Sequence, residues 1–367
     1  LKIVRKRIKK PYLLANLFSG KETHQISSWN ITETKSQSAL QKFLLYIRDN
    51  FFIPDTGILW KDPSVRFLKK NIAKKNIDTI ITTGPPHSLH LIGLKLKYKT
   101  GVNWIADFRD PWTGMWDFNQ LKLNQTTKKK HNRLEKQVLR NADQIITTSK
   151  ATELAFKNLS IQPIKTITNG YDDVSRTNSV ELDKEFSIAH IGSFFSVKPL
   201  KTLWQAYSEL IQEHPEFKNR FRLRLVGKNN SDMLRSLTKY KLIDFTEDMG
   251  DLPHEEMLSI QESSQVLLLQ YTHEKVKGVL PDSLFEYLRF GRPILALGPD
   301  GWDAKKIIED TQSGYSFNFD EKEAIKSKLL QLFEGYKQKD LKMKPINIEK
   351  YHRRNLTKEL SQLIKNV

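Results

Sequence analysis

The chain has 367 residues, 38% of them hydrophobic and 10% aromatic, with only 16 Gly and 14 Pro, which excludes a single small module and a collagenous or disordered polymer. Its 60 Lys and Arg against 42 Asp and Glu leave a net charge of +18, favouring anionic partners: nucleotides, phosphates, nucleic acid or an anionic membrane surface. There is no cysteine, so disulfides, thiolate catalysis and cysteine-ligated zinc or iron–sulfur centres are excluded.

In chain order, residues 1–10 read as a basic strand or strand edge without the apolar core of a signal peptide, and 20–35 as a polar loop. The first residue is Leu1, and no strand followed by a Gly-bearing loop precedes residue 78, so the amino terminus is expected to be cut. Short β-branched runs ending in small or polar residues then recur at 78–84 (DTIITTG), 104–107 (WIAD), 144–149 (QIITTS), 187–192 (SIAHIG), 221–227 (FRLRLVG), 265–270 (QVLLLQ) and 293–298 (PILALG). Their near-continuous apolar character predicts strands buried on both faces of parallel sheets. Amphipathic patterns between them predict helices at 88–99, 128–141, 150–159, 199–213, 281–290 and 321–334. The alternation predicts an α/β, doubly wound architecture. The rhythm breaks at 167–173 (ITNGYDD) and the polar stretch after it, which places a domain boundary there. Leu356, Leu360, Leu363 and Ile364 predict a closing helix in 348–367. No apolar run approaches the roughly 18 to 20 residues that a spanning helix needs, so a soluble protein is expected.

Three segments carry chemistry. In 278–298 (GVLPDSLFEYLRFGRPILALG) Pro281 suits the first turn of a helix, Gly291 its left-handed end, and Pro293 the start of a buried strand. Glu286 on that helix either faces water, as charges usually do, or accepts two hydroxyl hydrogen bonds, as ribose recognition requires. In 190–203 (HIGSFFSVKPLKTL) a strand ending at Gly192 lets an anion approach backbone N–H groups, and the following helix offers its positive end. Lys198, with Lys201 as alternate, is either a solvated surface cation or a phosphate contact.

In the third, 83–90 (TGPPHSLH) and 107–112 (DFRDPW) stand at the carboxyl ends of strands, where open α/β sheets bind ligands. Gly84, His87, Asp107, Arg109 and Asp110 can therefore line one site; the plain alternatives are a structural Asp–Arg pair and a satisfied loop histidine. Asn169 and Gly170 form an N-G turn in which Gly170 supplies a positive φ or a simple turn. The basic helix with Lys128, Lys129, Lys130, Arg133, Lys136 and Arg140 is either a solvated face or a contact for anionic lipid or a lipid-linked acceptor. Dinucleotide G-x-G-x-x-G, Walker A, H-E-x-x-H and G-x-S-x-G patterns are absent from the sequence.

Through Pro281, Glu286, Tyr287, Gly291 and Pro293 the chain resembles the retaining family-4 glycosyltransferases of the GT-B fold, whose donor motif places two glutamates eight positions apart around P-x-K-x-x-E-Y. Gly278 stands where that family has its first glutamate and Ser283 where it has lysine; Ser193 replaces the arginine that usually follows Gly192. DFRDPW, with ITTGPPHS upstream and ITNGYDD downstream, resembles a bacterial branch of such enzymes, and the likeness runs in order from about 77 to 364.

It implies two Rossmann-like doubly wound domains facing a central cleft: an acceptor-side domain at 1–168, a nucleotide-sugar domain at 169–347, and a last helix at 348–367 packing back on the first. It implies sugar transfer from a nucleotide diphosphate sugar to a polysaccharide or lipid-linked glycan, with retention and no obligatory metal or other cofactor, in the bacterial cytoplasm or peripherally at the membrane. Gly192, Lys198, Lys201, Pro281, Glu286 and Tyr287 would then bind the donor, with His87, Asp107 and Arg109 lining the sugar and acceptor side and no general base assigned. The rivals are a nucleotide-sugar epimerase of the same fold, a degenerate binding protein, and a basic nucleic-acid-binding protein, for which no recognised module speaks.

Overall fold

The computed structural model describes residues 3–5, 39–115, 118, 121–173, 180–192, 200–229, 231–271 and 277–367. The chain divides into two compact units, Leu1–Ile167 with Ser361–Val367, and Thr168–Leu360.

The first unit runs α1 (Ala39–Phe51), a 3-10 turn (Thr56–Trp60), α2 (Lys61–Lys75), β1 (Thr79–Gly84), α3 (Ser88–Thr100), β2 (Asn103–Phe108), α4 (Gln125–Asn141), β3 (Gln144–Thr147), α5 (Lys150–Lys157) and β4 (Ile164–Thr166). Its four strands are parallel in the order β1-β2-β3-β4. The register pairs Gly84 with Phe108 and Phe108 with Thr147, so their carboxyl ends form one edge. Local sequence sets the helix starts: the Asn124 side chain accepts from Thr127 N–H, and Ser149 accepts from Thr152 N–H. These caps satisfy amides that the first turn leaves free. The cap at Asn124 explains why α4 begins three residues before its predicted start.

The second unit runs β5 (Phe186–Ile191), α6 (Lys201–Glu213), α7 (Pro215–Arg220), β6 (Phe221–Val226), α8 (Ser231–Lys239), β7 (Thr246–Gly250), α9 (His254–Ser263), β8 (Val266–Gln270), α10 (Asp282–Phe290), β9 (Ile294–Leu297), α11 (Asp303–Thr311), β10 (Gly314–Phe317) and α12 (Lys322–Lys337). The helix α13 (Arg353–Lys365) closes the chain. All six strands are parallel, in the order β10-β9-β8-β5-β6-β7. Counted from β5 this is the dinucleotide-fold order 3-2-1-4-5-6, with its switch point between β5 and β8. Alternate residues of each central strand feed two cores. Phe186, Ile188, Leu223, Leu268 and Leu295 pack under α6 and α12; Ala189, Ile191, Leu267, Leu269 and Ile294 pack under α10 and α11.

All seven predicted strands form, and three shorter ones, β4, β7 and β10, are added. Burial on both faces holds for β2, β3, β5, β8 and β9 but not for β6, where Arg222 and Arg224 are half-buried and Arg224 pairs with Asp183 and Glu247, nor for β1, where Ile81 is 43% exposed. The physical reason at β1 is position: among the described residues β1 has a neighbouring strand on one side only. Gly170 also departs from expectation. Its φ is not positive; a Cβ there would lie 2.2 Å from the Tyr351 carbonyl oxygen. The glycine serves close backbone approach, and Tyr171 N–H donates to that same carbonyl at 3.1 Å.

Candidate functional site

In the second unit the residues gather at the switch point. β5 ends at Ile191, and Gly192 follows with φ +132°, a conformation L side chains rarely adopt. Its N–H is committed to the Val226 carbonyl at 2.8 Å. What Gly192 offers a ligand is therefore close approach rather than its own amide. Lys201 is exposed at the first turn of α6, whose N-cap, Leu200, makes no side-chain cap. Lys198 and Ser193 lie outside the described residues.

Pro281 is the N-cap of α10, and Gly291 ends it with φ +62°. Tyr287 is wholly buried. Its hydroxyl accepts from Ile191 N–H at 3.0 Å and reaches the Leu268 carbonyl at 3.5 Å, tying α10 to the end of β5 and the middle of β8. Burial raises its phenol far above the ordinary range. Tyr287 is thus placed to brace the site from beneath. Glu286, one residue earlier, is partly exposed: Oε2 accepts from Gln261 Nε2 at 2.9 Å, and His254 Nε2 stands 4.0 Å from Oε1. Gln261 is wholly buried on α9. Neither α9 partner is legible from chain position, because their nearness to Glu286 is created by helix packing. Asn169 donates to the Asp282 carboxylate at 2.5 Å, so the N-G turn meets the first turn of α10.

In the first unit, His87 is 7% exposed and lies parallel on Trp112, ring centroids 5.0 Å apart at 1°. Burial, reinforced by His90 and His131 nearby, holds its imidazole well below the usual range. His90, wholly buried, shares a hydrogen bond of 3.0 Å between Nδ1 and Thr82 Oγ1; that hydroxyl also accepts from Trp104 Nε1 at 2.8 Å. With two lone pairs Thr82 Oγ1 can accept from both rings or donate to Nδ1, and His90 Nε2 is buried without a hydrogen-bond partner among the described residues. Burial lowers its pKa to about 3. The next strand presents Asp107, raised by burial against a bond from Thr83 and the charge of Arg109. Arg109 is exposed, with its backbone held at both ends: N–H to the Gly84 carbonyl at 2.9 Å and carbonyl to Thr148 Oγ1 at 2.7 Å.

The inner face of α4 completes this region. His131 Nδ1 accepts from Trp112 Nε1 at 3.0 Å, and Glu135 accepts from Thr113 N–H at 3.0 Å and Thr113 Oγ1 at 2.5 Å. Both are 2% exposed. Together they clamp the loop that carries Arg109 and Asp110. Sequence reasoning saw only the cations of this helix. The available signal was the stripe Thr127, His131, Glu135, Val138 at helical spacing, which the structure buries. The chain thus assembles two separate clusters, Gly192, Lys201, Glu286 and Tyr287 in one unit, and His87, Asp107 and Arg109 in the other. Among the described residues no group of three acidic or histidine side chains could hold a metal ion.

Two parallel sheets of this topology, each with helices between its strands, define an α/β architecture of two Rossmann-like units. Residues 31–174 match the model described as Glycosyltransferase Family 4, and residues 173–350 match Glycosyl transferases group 1. The chain belongs to these family-4-like, group 1 glycosyltransferases, and it is an enzyme of that kind. Sucrose-phosphate synthase from Thermosynechococcus elongatus is similar in structure, with TM-score 0.60 and 16% identity over 84% of this chain and 78% of that one. So are Anabaena Alr3699/HepE in complex with UDP (TM-score 0.59, 12% identity, 83% and 82% covered) and the lipopolysaccharide outer core galactosyltransferase WaaB (TM-score 0.56, 16% identity, 82% and 79% covered). No curated protein sequence matches the chain.

Proposed function

We propose that this glycosyltransferase takes a sugar from a nucleoside diphosphate sugar bound at the switch point of the second unit and transfers it, with retention, to a polysaccharide or lipid-linked glycan. The observation that carries the donor site is Glu286: a partly exposed carboxylate next in sequence to Tyr287, whose hydroxyl bonds the end of β5, and oriented through one oxygen by buried Gln261. Its other oxygen is then available to a ribose hydroxyl. UDP in the similar Anabaena protein supports a nucleotide of this class.

Breaking the bond between the anomeric carbon and the diphosphate leaves positive charge on the sugar and negative charge on the departing phosphate. On this reading the amino-terminal end of α6, with Lys201 and Lys198, stabilises the leaving group, and Gly192 lets it come close. These cations are the chain's own, so no metal is obligatory and chelator leaves turnover unchanged. Pro281 sets the start of α10, and Tyr287 keeps Glu286 at the right level. His87, Asp107 and Arg109 serve the sugar and acceptor side. The neutral imidazole that burial enforces on His87 suits it to hydrogen bonding with hydroxyls rather than to charge pairing. The working place is the bacterial cytoplasm, with peripheral contact at an anionic membrane surface; no described helix is long and apolar enough to cross one.

Calorimetric titration with UDP, GDP and ADP tests the donor site. One of them binds, and Glu286→Ala weakens it about tenfold or more, as expected for losing bonds to a charged acceptor. Equal affinity in the variant refutes the assignment. Release of free nucleoside diphosphate during turnover, with the product's anomeric configuration read by NMR, separates retaining transfer from epimerisation.

A further inference from the structure

The first unit concentrates charge on one layer. α3 and α4 each connect neighbouring parallel strands, so right-handed crossovers place them on the same face of the sheet. Lys95 pairs with Asp62 at 2.7 Å, joining α2 to α3, and Tyr98 donates to Asn141 at 2.8 Å, joining α3 to α4. The three helices carry fifteen Lys and Arg against two carboxylates, a net +13 out of +18 for the whole chain. One of the two carboxylates, Glu135, is buried on the inner face. Arg66, Lys69, Lys99, Lys129, Arg133 and Lys136 are exposed and none makes a salt bridge among the described residues, although Arg66 acts on Asp62 and Lys136 on Glu135 at longer range. They line two shallow depressions of about 430 and 290 Å³.

An aromatic rim adjoins this layer. Asn50, near the end of α1, donates to the Lys122 carbonyl and accepts from Asn124 N–H, each at 2.9 Å, which docks α1 against the cap of α4. Along α1, Phe43, Tyr46 and Phe51 are 59%, 41% and 72% exposed.

We infer that α2, α3 and α4 with α1 form a docking face for an anionic lipid bilayer, the cations meeting headgroups and the α1 aromatics entering the interfacial zone. Segregation favours a bilayer over a nucleic acid. Single strands are held by aromatic side chains interleaved with cations along a groove; here three of the four exposed aromatics described in this unit collect on α1, and only Tyr98 stands among the lysines of α3. That division matches an interface in which apolar and charged groups sit at different depths. The inference names the surface behind the peripheral contact proposed above and is independent of the donor-site assignment.

Sedimentation with vesicles of phosphatidylcholine containing about 30% phosphatidylglycerol tests it, the purified full chain being compared with three variants. A Lys or Arg near an anionic surface is worth about fivefold in partitioning, so the triple Lys129→Gln, Arg133→Gln, Lys136→Gln lowers binding about a hundredfold. A control triple on exposed lysines of the second unit, Lys218→Gln, Lys239→Gln, Lys342→Gln, removes the same charge and changes binding less than about threefold. Phe51→Ser weakens binding without altering charge. All the substituted side chains are exposed, and each variant's melting temperature and UDP, GDP and ADP titrations are measured alongside. Equal losses in both triples, equal binding to neutral vesicles, or binding to poly(U) RNA but not to vesicles each overturns the inference. Loss of nucleotide binding by Glu286→Ala, or its absence, bears on the donor site alone.

Discussion

His190 lies on the central strand of the second sheet, 4% exposed, with Nδ1 at 3.0 Å from the Leu268 carbonyl. A carbonyl only accepts, so Nδ1 carries the proton and the neutral ring satisfies it. Burial lowers the pKa to about 4, although bonds to the Leu268 and Gly192 backbone oppose the shift. The unfolded chain takes up a proton at this position below about pH 6.5, whereas the native protein does not until about pH 4. Stability is therefore lost as pH falls from about 6.5 to about 4 and this contribution levels off below that. Over the whole window the loss is about 3 kcal/mol. In His190→Asn the side-chain amide can still donate to the Leu268 carbonyl, but nothing titrates. Urea unfolding of both proteins between pH 7 and pH 4, followed by hydrogen exchange in peptides of β5 and β8, isolates the effect, because every other titrating group is common to both. The difference between wild type and variant shrinks by about 1.4 kcal/mol per pH unit within the window. A constant difference across pH refutes the reasoning.

The loop clamp on α4 makes a second test: Glu135→Leu removes two bonds to a charged acceptor, so it destabilises the first unit by about 3 kcal/mol, and Glu135→Gln by less, in thermal denaturation. Tyr287→Phe leaves the buried Ile191 N–H without its partner; it costs about 1 to 3 kcal/mol in the second unit and lowers nucleotide affinity by displacing the strand end. Gly192→Ala forces a side chain into φ +132°, so unfolding stability drops by about 1 to 3 kcal/mol. Gly84→Ala sets a Cβ 2.6 Å from His90 Nε2; crystallography of the variant shows the ring displaced, and a ring unmoved contradicts the packing described.

The alternation of strands and helices is legible in the sequence alone, because β-branched apolar runs and 3.6-residue stripes are local properties, and seven strands stand where those runs predict them. So is the short helix that carries Glu286 between Pro281 and Gly291, whose fixed φ and positive φ punctuate the chain without help from its surroundings. The short edge strands β4, β7 and β10 carried too little apolar pattern to be read; pairing to a neighbour defines them. Tertiary structure alone decided that Tyr287 braces the end of β5 rather than facing outward, since a tyrosine between Glu286 and Leu288 is compatible with either face until the helix is seated. It alone brought Gln261 to Glu286 across 25 positions, and His131 and Glu135 to the loop after β2 across about 20. Those pairings follow from helices lying side by side on a sheet, a distance relation that spacing along the chain does not encode.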